Sequence, residues 1–221
     1  MDLGWTDPAA ASLAEPIPDG RSFQALAAEA LRNRVFVCAG LVERDRDQVF
    51  NTAVLISPTG ELLMRHRKIN ELGIAWDYYA QGGSIEVCRT EIGVVGLMVC
   101  ADGFAKEHYI GRALGHLGAE IILAPSSWAV RAEHDQQAEP YGQLWRDSFG
   151  PIAREFSTWV LAVSNVGPLN DGPWKGRKCI GCSLAFDAEG REVIYGSYGE
   201  DELLYVEPLI KQKPRYFNEA V

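Results

Sequence analysis

Apolar residues recur along this chain in two rhythms, one of helical spacing and one of strand length. Phe23, Leu26, Ala27, Ala30 and Leu31 share one face of a helix that starts at Ser22 as N-cap and runs to about Arg32. Residues 35–40 form an apolar run of strand length. Residues 50–56 and 61–66 read as strands around Ser57-Pro58-Thr59-Gly60, a hairpin signal. Further strands are predicted at 85–89, 93–100, 120–124, 159–164, 183–187, 193–195 and 203–206, and helices over 106–117 and 143–156. Two connections stand out by length and content: 69–83, with Trp76, Asp77, Tyr78 and Tyr79, and 126–141, polar and aromatic. Long loops of this kind are often functional. Some strands adjoin as hairpins and others alternate with helices, so helices packed outside sheets fit better than a purely parallel sheet. With no repeat and no low-complexity linker, residues 1–221 read as a single domain.

Composition narrows the partners. Hydrophobic residues make up 47% of the chain and charged residues 23%, an ordinary globular balance. The net charge of −9 argues against nucleic acid or an anionic membrane surface, which attract basic protein. No apolar run approaches the roughly 18–20 residues of a spanning helix. The opening residues carry neither the basic nor the apolar region of a secretory signal. Five cysteines, an odd number in a sizeable domain, fit reduced thiols in a cytoplasmic protein better than a disulfide framework.

One cysteine stands apart. Residues 93–100 read as a buried strand that ends in Cys100 and turns through Asp102-Gly103. A nucleophile at such an elbow projects from a strand end into a cleft, with backbone N–H groups beyond it free to bind an oxyanion. On local sequence alone, the burial habit of free cysteine favours a core residue instead. Cys38 and Cys88 sit inside strand runs. Cys179-Ile180-Gly181-Cys182 has redox or zinc spacing, but if extended its two thiols face opposite sides of a sheet. No second Cys or His pair accompanies them, so neither a metal nor any other cofactor is expected. A thiol becomes nucleophilic near neutral pH beside a cation, with a carboxylate to carry its proton. Residues 64–70 supply cations at a hairpin end, where alternation puts His66 and Lys68 on one face and Arg65 and Arg67 on the other. The plain alternative is a solvated basic strand end.

Taken in order, these segments resemble the nitrilase superfamily of carbon–nitrogen hydrolases over nearly the whole chain. His66-Arg67-Lys68-Ile69 matches the family's Tyr/His-Arg-Lys motif, which identifies Lys68 as the catalytic lysine. Gly96-Leu97-Met98-Val99-Cys100-Ala101-Asp102 matches Gly-x-x-x-Cys-x-Asp, which identifies Cys100 as the nucleophile. Arg112, Gly118-Ala119, Pro125-Ser126-Ser127-Trp128, Ser164-Asn165-Val166-Gly167 and Gly181-Cys182-Ser183 have counterparts in the same order. The resemblance implies an α/β fold, a four-layer α-β-β-α sandwich with its active site at strand ends. It implies hydrolysis of an amide, N-carbamoyl or nitrile bond of a small molecule through a cysteine thioester, and a homo-oligomer. Lys68 and the Ala101 N–H would stabilise the oxyanion, and Trp128 would line the substrate site. The family's second acid falls, by spacing to Gly82, at Asp77, with Glu71 as the alternative. Trp76, Tyr78, Tyr79, Trp128 and Trp145 suggest either an aromatic-lined pocket or ordinary packing.

The match departs from the family at its start. The first family Glu, the general base, aligns with Asp2, and the β-α-β unit of at least about 30 residues that normally precedes it has no counterpart. The expected form is therefore an N-terminally truncated sandwich with reduced activity and poor solubility. Two other readings stay open. One is a catalytically impaired or inactive homologue. The other is an acyltransferase on the same scaffold.

Overall fold

The computed structural model describes residues 7–210, so Asp2 lies outside the described residues. After a short helix α1 (Ala10–Leu13), helix α2 (Arg21–Asn33) begins two residues before the expected start. Gly20, not Ser22, occupies its N-cap position, and no side chain of the cap residue bonds back. The Glu15 carboxylate takes over that task by accepting the Ser22 N–H at 2.8 Å, and this bond holds its pKa below the usual value. Phe23, Ala27 and Ala30 form the buried face, while Leu31 is turned out to solvent. A fully buried Phe contributes roughly 1.5–3 kcal/mol, so this face is what fastens the helix.

The helix covers a three-stranded antiparallel meander, β1 (Val37–Asp45), β2 (Gln48–Ile56) and β3 (Leu62–Arg67). Strand β1 is longer than the 35–40 run suggested, because pairing with β2 continues to Asp45↔Gln48 through polar residues. Val54 and Ile56 face Phe23, Ala27 and Ala30, while Ala53 and Leu55 face the opposite way into the largest core. Burial on both sides explains the unbroken apolar run in this strand. The Ser57–Gly60 turn is closed by Ser57 Oγ, which accepts the N–H of Thr59 and of Glu61.

A six-stranded mixed sheet lies behind the meander. Its strands are β4 (Val87–Thr90), β5 (Gly93–Leu97), β6 (Ile121–Ser126), β8 (Trp159–Ser164), β11 (Leu184–Phe186) and β12 (Glu192–Tyr195), in spatial order β12-β11-β8-β6-β5-β4. The three central strands run parallel, connected by α3 (Tyr109–His116) and α4 (Gln143–Phe156). These helices pack on the outer face, where Ile110, Leu114, Phe149 and Ile152 are buried. Ala53, Leu55 and Met64 of the meander join Val95 and Leu97 on the inner face. The layers are therefore helix, sheet, sheet, helix, the expected four-layer α-β-β-α sandwich. A small third sheet joins β7 (Ala129–Val130), β9 (Val166–Pro168) and β10 (Lys178–Ile180).

Several segments differ from expectation, among them residues 106–108, a 3-10 turn ahead of α3 where helix was expected. Residues 203–206 are not a strand; Leu203 and Tyr205 are largely exposed and nothing pairs with that backbone in a ladder. The chain from Cys179 to Cys182 is extended only to Ile180, then turns through Gly181 and Cys182 at φ 65° and 54°. Among the described residues, no helix is long and apolar enough to cross a membrane.

Candidate active site

The carboxyl ends of β5, β6 and β8 lie side by side, the edge at which open α/β sheets place their ligands. Strand β5 stops at Leu97, and the chain reaches Cys100 through two extended residues before a tight 3-10 turn, Cys100–Phe104. Cys100 sits at φ 46°, a left-handed conformation that side chains other than glycine rarely adopt. Strain of this kind costs about 1–3 kcal/mol and persists only where the surroundings impose it. The thiol is buried, with a relative exposure of 6%. The Ala101 N–H belongs to the first turn, where amides have no acceptor in their own helix, whereas the Asp102 N–H already donates to Val99 O at 3.0 Å.

Lys68 enters from the meander. Alternation along β3 places His66 and Lys68 inward, and both are buried. Arg65 and Arg67 point the other way, where the buried Glu43 carboxylate accepts bonds from both at 2.7–2.9 Å. The basic strand end is thus half salt-bridge anchor and half interior cation. The Lys68 backbone donates to Asn51 O and accepts from Gly82 N–H, each at 2.8 Å. The Lys68 Nζ is 2.8 Å from Glu71 Oε2, and neither side chain is exposed. The second Glu71 oxygen, Oε1, is buried without a hydrogen-bond partner among the described residues.

The two catalytic candidates are bound together by Asp102, whose side chain is fully buried. Its Oδ1 accepts the N–H of Ile69 at 3.1 Å and of Asn70 at 2.8 Å. Its Oδ2 accepts the Val99 N–H at 2.9 Å and lies 2.8 Å from His66 Nε2. A carboxylate already taking three N–H groups is an acceptor, so Nε2 carries the proton in that fourth bond. Asn70 Nδ2 adds a bond to Ala101 O at 2.7 Å.

Electrostatics around the sulfur pull in two directions. Burial pushes the Cys100 thiol above its ordinary pKa, and this is the largest influence. The Lys68 ammonium and the backbone N–H of Ser127 draw it back down. Burial likewise raises the pKa of Glu71, against the opposing pull of Lys68.

The far wall comes from the chain after β6. Ser127 Oγ bonds to Asn165 Oδ1 at 2.9 Å, and Trp128 N–H donates to Ser164 Oγ at 2.9 Å. Trp128 is buried and stacked on Trp145, with ring centroids 4.6 Å apart, and its indole Nε1 has no partner among the described residues. Tyr141 accepts the Trp145 Nε1–H at 3.0 Å.

The structure thus brings Cys100, Lys68, Ala101 and Ser127 to one place. It does not bring Asp77 there: that side chain is exposed, because the 3-10 turn Gly73–Ala75 carries the loop outward, and Glu71 is the carboxylate at Lys68. The five aromatics also separate. Trp128 and Trp145 belong to the largest core, Tyr78 and Tyr79 pack with Ala10, Val42 and Val49, and Trp76 is 67% exposed. Asp102, Asn70 and Ser127 were absent from the sequence-derived set. For His66, its place on the Lys68 face was the available signal.

Comparison with known proteins identifies the family. The family model described as carbon–nitrogen hydrolase matches residues 1–208. An (R)-stereoselective amidase of Pseudomonas sp. is 28% identical over 196 residues, covering 89% of this chain and 65% of the amidase. A nitrilase of Pyrococcus abyssi is 31% identical over 193 residues, covering 86% of this chain and 66% of that protein. The chain thus spans slightly less than two thirds of the length of these relatives. Among solved structures, a carbon–nitrogen hydrolase of Helicobacter pylori superposes with a TM-score of 0.71 at 26% identity, over 80% of this chain and 62% of that one. Nit3 of Saccharomyces cerevisiae, a nitrilase-superfamily member, reaches 0.72 at 21% identity, over 89% and 69%.

Proposed function

Because the chain belongs to the carbon–nitrogen hydrolase family, we propose that it hydrolyses a non-peptide carbon–nitrogen bond of a small molecule through a thioester on Cys100. The substrate is an amide, an N-carbamoyl compound or a nitrile. The observation that carries this reading is the strained, buried Cys100 within the field of an interior lysine.

In the reaction the Cys100 sulfur attacks the electrophilic carbon. For an amide, the oxygen that becomes negative is met by Lys68 and by the N–H groups of Ala101 and Ser127. Donors aimed in advance at developing charge are commonly the largest contribution to catalysis, and removing one costs about 10²–10³ in rate. Collapse of the tetrahedral species breaks the C–N bond and releases ammonia or an amine. Water then cleaves the thioester to the acid and restores the thiol. Glu71 takes the place of the second acid, for which Asp77 was the sequence choice, and there it accepts the Cys100 thiol proton and passes it to the departing amine, since a carboxyl with a raised pKa suits proton exchange near neutral pH. Trp128 offers its unspent indole N–H to the acyl portion of the substrate. The family resemblance adds a homo-oligomer, and the odd set of cysteines without a matching His or Cys pair adds a cytoplasmic protein working without metal or cofactor.

Ammonia release across primary amides, N-carbamoyl compounds and nitriles tests the proposal. Turnover of at least one class, abolished in Cys100→Ala, is the expected result. Equal release by wild type and Cys100→Ala would overturn it.

A further inference from the structure

The geometry points to Asp102, with Asn70 and His66, as a set of positioning residues that holds the lysine-bearing loop against the cysteine elbow and so sets the reactivity of the Cys100 thiol. The inference rests on the proposed pairing of Lys68 with Cys100 and deepens it. Residues 69 and 70 and the Cys100 elbow belong to different layers of the sandwich, and no ladder hydrogen bond runs from β3 to β5. Among the described residues, the Asp102 carboxylate joins them with two bonds to the loop, one to the residue before Cys100 and one to His66 on β3. Asn70 Nδ2 makes a second, independent crossing to Ala101 O. Coulomb attraction falls with separation, so a loosened loop lets the Lys68 ammonium drift and leaves the sulfur less acidic.

The charges of these groups act in opposite senses, which makes the inference separable from a simple field effect. Among the described residues, the ionisable groups felt by Cys100 are Lys68 after β3, Asp102 in its own turn, Tyr141 before α4 and Cys179 on β10. As a bare negative charge, Asp102 makes the thiol harder to ionise. Removing that charge alone would raise thiolate content. Removing the tether, with the loop then free, lowers it. Asn70 carries no charge, so Asn70→Ala acts on the tether only.

The test is the rate of Cys100 alkylation by iodoacetamide from pH 6 to 10.5, read peptide by peptide by mass spectrometry. Wild type, Asn70→Ala, Asp102→Asn, Lys68→Met and the double variant Asn70→Ala/Lys68→Met are compared, each checked for folding by circular dichroism. Lys68→Met is expected to shift the midpoint upward by about 1–3 units, the effect of removing a close opposite charge. Asn70→Ala and Asp102→Asn should shift it upward by less, and Asn70→Ala should add nothing once Lys68 is gone. If Asp102→Asn does not fold, Asn70→Ala carries the test alone. A downward shift or no shift in folded Asn70→Ala overturns the positioning role while leaving the Lys68–Cys100 pairing intact. A normal midpoint in Lys68→Met overturns the pairing, and the positioning role with it. Because alkylation needs no substrate, neither outcome is confused with a wrong choice of hydrolysed bond.

Discussion

Trp128 carries a buried indole N–H that nothing among the described residues satisfies. A buried donor left unpaired costs about 1–3 kcal/mol, and such a cost is tolerable where a ligand redeems it. Trp128→Phe keeps the stacking on Trp145 and removes the donor. We expect a melting temperature within a few degrees of wild type, kcat nearly held, and KM for the best substrate raised several-fold. A fall in kcat with KM unchanged would instead place Trp128 in the chemistry. At this scale Cys100 and Lys68 were legible because each closes a motif with fixed spacing, and alternation along residues 64–68 correctly pointed Lys68 inward. Glu71 was not chosen over Asp77, because spacing to Gly82 measures contour length and not direction. The 3-10 turn at Gly73–Ala75 decides which carboxylate faces in.

Between the secondary elements, the loop after Lys68 is held closely at Gly82. Gly82 donates its N–H to Lys68 O, and a Cβ placed on Gly82 would stand 2.0 Å from the carbonyl oxygen of Arg67. Backbone cannot yield as a flexible side chain can, so Gly82→Ala must push the loop away from the Arg67–Lys68 junction. Overpacking of this sort typically costs about 1–3 kcal/mol. The expected result is a lowered melting temperature together with loss of activity at temperatures where the variant is still folded. Full activity in folded Gly82→Ala would show that the loop position is unimportant. One helix was read closely from the sequence: residues 143–156 match α4 at both ends, despite Pro151 inside it, while the 106–117 helix is α-helical only over Tyr109–His116. The failures are instructive. Strands β9 and β10 were missed because each has three residues and the register is set by partners distant in the chain. The run at 203–206 has strand composition, yet composition alone provides no neighbouring edge.

The whole molecule buries several thiols in their neutral form. Burial raises the pKa of Cys100, Cys179 and Cys182, and pushes the Tyr195 phenol up to about 12. In the unfolded chain a thiol ionises near about 8.5. Above that value the unfolded state loses protons that the native state keeps, so stability must fall as pH rises. We expect denaturant midpoints to decline steadily from pH 8 to 10.5, and less steeply in Cys182→Ala. A flat or rising profile would contradict burial of these groups. The four-layer arrangement was legible only through the family motifs. Periodicity alone reached no further than helices outside sheets, since it cannot tell which sheet faces which.

Covalent capture is the most direct measurement of the central claim. Protein mixed with a turned-over amide and quenched in acid within the first turnovers should show the acyl mass added to the peptide that contains Cys100, and no addition in Cys100→Ala. Turnover without an adduct in wild type, or an adduct on Cys38, Cys88, Cys179 or Cys182, would contradict it.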